Sequence, residues 1–196
     1  NLYLGERRLV ELEDVRLMVP LSRKGVVWEI SRALESRDTE RAIRLVDAQL
    51  ERGESAVGLM RAAIIPTVRN LFMVRVLLDA NPRLPVHSGN SFTAALNRLP
   101  DEDKAWLPRT KSGSVNAWGL FYAARKAGQF TTAEMSHALE AALEADKALV
   151  TTQLDSRMVL HRLVADLTMG GRKRSKRKRR SIKKSSRRRS IKKSSR

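Results

Sequence analysis

Between residues 55 and 79, apolar side chains return every three or four positions: Leu59, Ala63, Ile64, Val68, Leu71, Phe72, Val76 and Leu78. That recurrence gathers them on one side of a helix with 3.6 residues per turn, whereas the faces of a strand alternate every two residues. It is the longest such pattern in the chain and sets the expectation of a helical fold. Pro66 falls inside it and lacks a backbone donor, so a kink or two abutting helices is expected there. Asn81-Pro82 ends the run.

The rest of the chain follows suit. Leu12 to Val19 reads as a short helix closed by Pro20. Val26, Val27, Ile30, Ala33 and Leu34 make a second, and Asp38 or Thr39 can cap a third on Ala42, Ile43, Val46 and Leu50, with Gly53 as its stop. Residues 81–114 are irregular, with a short helix from Phe92 to Leu99 capped by Ser91. Val115 to Ala127 is a helix ending at Gly128. Thr131 with Glu134 forms a capping box, side chain and backbone satisfying each other reciprocally. The helix it starts runs to about Val150 on Met135, Leu139, Ala142, Leu143 and Leu149. Asp155 caps a last helix on Val159, Leu160, Leu163, Val164 and Leu167, and Gly170-Gly171 closes the fold. No alternating run argues for a sheet. The expected fold is all-α, a bundle of about six to seven helices.

Charge divides the chain in two. Residues 172–196 hold 16 of the 39 Lys and Arg residues and none of the 21 acids, which leaves 23 against 21 in the body, a net of +2. In this tail, Arg179 to Arg187 reads RRSIKKSSR and Arg188 to Arg196 repeats it letter for letter. Only Ile182 and Ile191 could be buried, too little to offset the entropy of ordering, so a disordered tail is expected. Its cations are Arg172, Lys173, Arg174, Lys176, Arg177, Lys178, Arg179, Arg180, Lys183, Lys184, Arg187, Arg188, Arg189, Lys192, Lys193 and Arg196. Clustered cations bind phosphate by releasing counterions without reading sequence, which makes DNA the expected partner. A second DNA-binding candidate is the loop carrying Trp106, Arg109 and Lys111, where an aromatic beside two cations could stack on an unpaired base. The alternative for Trp106 is to fold back and seal the core.

Catalytic chemistry finds no foothold. Cysteine is absent, which excludes disulfides, thiol nucleophiles and zinc knuckles and fits a reducing compartment. Lys111-Ser112-Gly113-Ser114 lacks the spacing of a phosphate loop. His87, His137 and His161 lie far apart without metal-ligand spacing, and surface or packing roles are expected for them. Asp101, Glu102 and Asp103 are adjacent and do not converge on one point, so a solvated helix start after Pro100 is expected. No cofactor, metal or membrane span is expected, and no run approaches 18 consecutive apolar residues. The chain opens on Asn1, and Leu2-Tyr3-Leu4 reads like the end of an element under way, as in a piece of a longer protein.

Two stretches carry a family resemblance. In residues 2–19, Tyr3, Gly5, Asp14, Val15 and Val19 occupy the places of an L-x-x-Y-x-G-like stretch and a following D-V-x-x-L/V helix. Residues 26–80 add a helix ending near Leu34, then Ala42-x-x-Leu45-x-x-x-x-Leu50 before Gly53-Glu54, then a long helix with Arg69 and Leu71. Leu143-x-x-Ala145-Asp146-x-x-Leu149 and Leu154-Asp155-x-x-x-x-Leu160-x-x-Leu163 close the pattern. Together they resemble the delta subunit of the bacterial DNA polymerase III clamp loader, from the end of its second domain through its helical collar. The resemblance spans roughly residues 1–168; the long irregular stretch and the basic tail depart from it.

The resemblance implies residues 1–20 as the end of a preceding lid-like domain and linker and 21–171 as a helical collar domain, while the disordered tail expected over 172–196 rests on composition alone. It implies a non-catalytic part of the polymerase holoenzyme in the bacterial cytoplasm, at the nucleoid. Its partners would be the ATPase subunits and delta-prime, with the sliding clamp reached only through a domain upstream of Asn1. The alternative is a free-standing helical adaptor whose basic tail is the working part. Because the body is near neutral and has its own helix stops, cutting the chain after Gly171 is expected to leave its helical circular dichroism and unfolding midpoint nearly unchanged. A drop of more than a few degrees would mean that the tail docks on the body.

Overall fold

In the computed structural model of the protein, residues 23–170 are described; the Leu12–Val19 helix and the tail expected above lie outside them. The described residues form α1 (Arg23–Glu35), α2 (Thr39–Glu51), α3 (Ala56–Ala80), α4 (Gly89–Asn97), α5 (Asp101–Lys104), α6 (Ala117–Ala127), α7 (Thr132–Thr151) and α8 (156–170). Among them, the extended pairing is an isolated bridge between Arg109 and Val115, and the fold is all-α.

Helix α3 runs unbroken past Pro66. Where a kink or two abutting helices was expected, the helix carries a π-turn over Met60–Ile64, in which the Ile65 N–H donates to the Met60 carbonyl five residues back. A π-turn puts the hydrogen-bond ladder out of step by one residue, and that is where a residue without an N–H can be seated. Just beyond, the Thr67 hydroxyl lies 2.7 Å from the Ala63 carbonyl and 2.8 Å from Ser31 Oγ, which itself donates to the Val27 carbonyl. The hydroxyl pair thus ties α1 to α3.

The core is built around α3, which packs on α1, α6 and α7. Its buried residues are Ala56, Leu59, Met60, Ala63, Ile64, Thr67, Val68, Leu71, Val74 and Leu77. Val74 and Leu77 take the places that spacing assigns to Val76 and Leu78, because a helix with neighbours on several sides has no single buried stripe. By length and composition α3 could cross a membrane; here it is the central helix of the bundle. Phe92 and Leu96 of α4, Leu120 of α6, Met135 of α7 and Leu160, Leu163 and Val164 of α8 complete the core.

Most helix ends match their sequence signals. Asp38 accepts the Arg41 N–H at 3.1 Å, and both halves of the Thr131–Glu134 capping box are made. At the end of α2, Gly53 has φ +83°, its N–H donates to Leu50 and that of Glu54 to Gln49, a paired closure that suits glycine's freedom at positive φ. Two starts differ. α4 begins at Gly89, capped by Ser88 rather than Ser91, since Ser88 has the extended backbone that a cap requires. α6 begins at Ala117, capped by Asn116, because Val115 is engaged in the bridge with Arg109. α8 follows Asp155, which accepts the Arg157 N–H at 2.9 Å, and it is still helical at Gly170, where the fold was expected to stop.

The turn between α1 and α2 closes in the same paired manner as that after α2, but its left-handed residue is Arg37, at φ +56°. A side chain there costs about 1–2 kcal/mol relative to glycine. The arginine offsets this with its guanidinium. It donates to the Gln129 carbonyl at 2.9 Å, to Glu134 at 2.6 Å and to the Thr168 carbonyl at 3.4 Å, and it lies 4.1 Å over the Phe130 ring. Arg37→Ala is expected to lower the unfolding free energy by about 3 kcal/mol, because a nearly buried charge pair loses one member. Arg37→Gly should be about 1 kcal/mol less harmful than Ala, since the backbone strain goes with the side chain. Arg37→Lys should restore only part, lacking the planar fork. Urea titrations of the three variants check the order.

Candidate interaction surfaces

The loop that sequence singles out is well organised. After α5, Leu107 turns inward and is buried, while Trp106 is 43% exposed, so Leu107 rather than Trp106 seals the core. The Asn116 N–H donates to the Pro108 carbonyl and that of Thr110 to Ser114, each at 2.7 Å, pinching 110–114 into a turn with Gly113 at φ +84°. The hydroxyls of Thr110, Ser112 and Ser114 cluster within it. Arg109 donates to the Gly113 carbonyl at 2.9 Å, and Lys111 is exposed in the turn. Arg109 and Lys111 therefore share one turn, but the Arg109 guanidinium serves its own loop. The cation–ring pairs among the described residues lie elsewhere, Arg32 over Trp28 and Arg37 over Phe130.

A larger aromatic surface escapes the sequence reading. Trp28 of α1 is 50% exposed, and Trp118 and Tyr122 of α6 are 52% and 45% exposed. Trp28 meets Tyr122 edge to face at 6.1 Å, and Trp118 lies 6.4 Å from Tyr122. Trp118 and Tyr122 both touch Phe121, which reaches the buried Phe92 at 5.9 Å. The rings thus form a ladder from core to surface, and Arg32 stands 4.9 Å over the outer face of Trp28. Gly89 makes room for it, because a Cβ there would lie 2.6 Å from the Trp118 ring. The signal was present in sequence as two i, i+4 pairs, Trp28/Arg32 and Trp118/Tyr122, both lying off the apolar faces that define the core.

A second exposed apolar group, Val150, Leu154 and Met158, surrounds the turn between α7 and α8, with Leu143 one helical stretch away. The histidines serve structure or solvent. His161 lies 2.7 Å from Asp47, which also pairs with Arg157, fastening α8 to α2. His137 pairs loosely with Glu140 on the surface, and His87 is exposed. Asp101, Glu102 and Asp103 form the solvated first turn of α5, with Asp101 bonded to Lys104. Among the described residues, no three His, Asp or Glu side chains converge as metal ligands would. A shallow cleft of about 280 Å³ between α7 and α8 is lined mainly by Ala133, Met135, Ala138, Ala141 and Leu167.

No family model matches the chain, and no curated protein matches it in sequence. Its helices, however, superpose on a solved structure. The fold is similar to that of the Bacillus subtilis DNA clamp loader delta protein, YqeN. The match has a TM-score of 0.51 at 15% identity and covers 85% of this chain and 42% of that one. At that identity the likeness is one of fold, and the chain spans less than half the length of the protein it matches.

One charge within the aromatic surface can be tested by pH. Burial pushes the Glu35 carboxyl above its ordinary value, against the opposing pull of Lys126 and Arg32. A carboxyl raised in this way adds stability below its unfolded-state pKa and loses it as pH climbs through the folded-state value. Glu35→Gln, with no charge to desolvate, is therefore expected to raise the melting midpoint at neutral pH and to lose that advantage well below the carboxylate range. Paired melts at the two pH values check the sign.

Proposed function

We propose that this chain is the collar-like part of a clamp-loader delta-type subunit, which performs no catalysis itself and packs its helices against other loader subunits. The observation that carries the proposal is the fold likeness to a DNA clamp loader delta protein over 85% of the chain. The polar letters that accompany the helices in residues 2–19, 26–80 and 143–163 support it from the sequence side. The ATPase subunits and delta-prime are the partners, and a bacterial cytoplasm is the setting. Opening of the sliding clamp would belong to a part of the protein that this chain does not contain. Packing of this kind needs apolar surface that the isolated bundle leaves uncovered, and Val150, Leu154 and Met158 supply it. Interfaces that hold such assemblies exceed about 1,000 Å².

The tail adds sequence-independent contact with DNA through Arg172 to Arg196, with Trp106 and Lys111 as lesser contributors. The same tail favours a second reading, a free-standing nucleic-acid-binding adaptor, since 16 clustered cations would find polyanions without a loader.

Mixing the chain with the ATPase and delta-prime subunits of its own organism and weighing the products distinguishes the two. A stable complex is expected, weakened by Leu154→Asp with Met158→Asp. Free chain beside partners that assemble among themselves would favour the adaptor. For DNA, neutralising about eight phosphates gives a log K against log salt slope near −7, roughly four decades of affinity between 50 and 200 mM salt. Deletion of 172–196 should remove most of that binding, and Trp106→Ala should cost at most about 1–3 kcal/mol, on single strands or junctions only.

A further inference from the structure

Three large rings, Trp28 of α1 with Trp118 and Tyr122 of α6, stand together near half exposed. Isolated exposed hydrophobes are common on any protein, but a contiguous patch marks a place where something docks. Trp, Tyr and Arg are also the side chains on which docking energy concentrates. Tyr122 links the other two rings, 6.1 Å from Trp28 and 6.4 Å from Trp118. Neighbouring rings are thus spaced close to the rise of one helical turn, about 5.4 Å.

The charges around the rings are mainly positive. Arg32 lies over Trp28, and Arg125 and Lys126 follow Tyr122 by about one turn of α6. Of the acids nearby, Glu29 is paired with Arg41, and Glu35 faces both Lys126 and Arg32. Arg32, Arg125 and Lys126 outnumber Glu35, and the rim is basic.

These features choose among occupants. Unpaired bases stack on parallel aromatic faces. Here Arg32 already covers one face of Trp28, and the Trp28 and Tyr122 rings meet at 87°. A second copy of this chain would bring one basic rim against another, and like charges across an interface oppose docking. An extended peptide draws its affinity from main-chain hydrogen bonds to a sheet edge, which the described all-α residues do not offer. A helix needs no such edge. Side chains four residues apart on it lie about 5–6 Å apart, which matches the spacing of the rings.

We propose that the surface formed by Trp28, Trp118 and Tyr122 docks an acidic amphipathic helix of another protein, its apolar residues on successive rings and its carboxylates toward Arg32, Arg125 and Lys126. The proposal does not rest on the loader assignment, whose apolar surface at Val150, Leu154 and Met158 belongs to other helices.

Three fluorescein-labelled peptides, each three helical turns long, are the probes. The first carries Leu and Phe at i, i+4 spacing among Glu. The second has the same apolar residues among Lys, and the third keeps the Glu but has Ser for Leu and Phe. The basic tail of the full chain attracts the first and third alike, so a difference between them belongs to the rings. By anisotropy, the first is expected to bind about tenfold or more tighter than either of the others. In a Trp106→Phe background only the first should shift tryptophan emission to the blue. Arg32→Glu with Arg125→Glu, both at exposed positions, should weaken the first about tenfold at unchanged circular dichroism and leave the third unchanged. Tyr122→Ala should erase the difference between the first and third. Leu154→Asp with Met158→Asp should bind the first as the native chain does. Equal binding of the first and third peptides, or preference for the second, would overturn the proposal. Loss of oligo(dT) binding in Tyr122→Ala would overturn it in favour of nucleic acid, and a dimer that Tyr122→Ala dissociates would overturn it in favour of a second copy.

Discussion

The bundle depends on one guanidinium. Arg37 sits where the chain must reverse between α1 and α2, and from there it gathers the Gln129 carbonyl, the Glu134 carboxylate, the Phe130 ring and the Thr168 carbonyl. These groups belong to the α6–α7 turn, the first turn of α7 and the end of α8, and the guanidinium joins all three to the α1–α2 turn. Glu134 is shared, one oxygen closing the capping box with the Thr131 N–H and the other accepting from Arg37. Apolar contact is indifferent to direction, whereas a planar fork facing a carboxylate and carbonyls accepts few orientations. A residue in an unfavourable backbone region persists because the surroundings over-determine it.

Two devices next to α3 play a complementary part. The π-turn at Met60–Ile64 and the hydroxyl pair of Thr67 and Ser31 keep a proline-containing helix whole and hold α1 against it. α3 can then serve as one continuous support, with α6 and α7 packed along it. The charges are arranged outside this frame. The described body carries interleaved pairs such as Arg44–Glu40, Arg75–Asp79 and Lys147–Glu144, and the excess of cations belongs to the tail.

The periodic segments were legible because a helix with one buried side writes its period into the sequence. α1, α2, α7 and α8 lie within a few residues of their expected bounds, and the caps at Asp38, Thr131 and Asp155 hold as read. α3 was less legible at its far end, where neighbours on several sides erase the stripe. The irregular stretch hid two starts, since Ser88 and Ser91 carry the same cap chemistry and only the backbone decides between them. Of the candidate site, the exposure of Trp106 is as DNA contact would require, but Arg109 is turned to its own loop, which three-dimensional hydrogen bonding alone reveals. The tail cations lie outside the described residues. The Trp28–Tyr122 surface was hidden because it joins helices some ninety residues apart.

Gly89 gives that surface a property beyond its composition. With no Cβ to hold it off, the Trp118 ring rests against the start of α4, so one of the three exposed rings is already immobile before anything covers it. Immobilising a free side chain on docking costs about 0.5–1.5 kcal/mol of rotamer entropy. Here that cost has been met during folding, in the same step that seats α4. A methyl group at position 89 would set the ring loose without touching whatever lies over it, and would weaken the contact from behind.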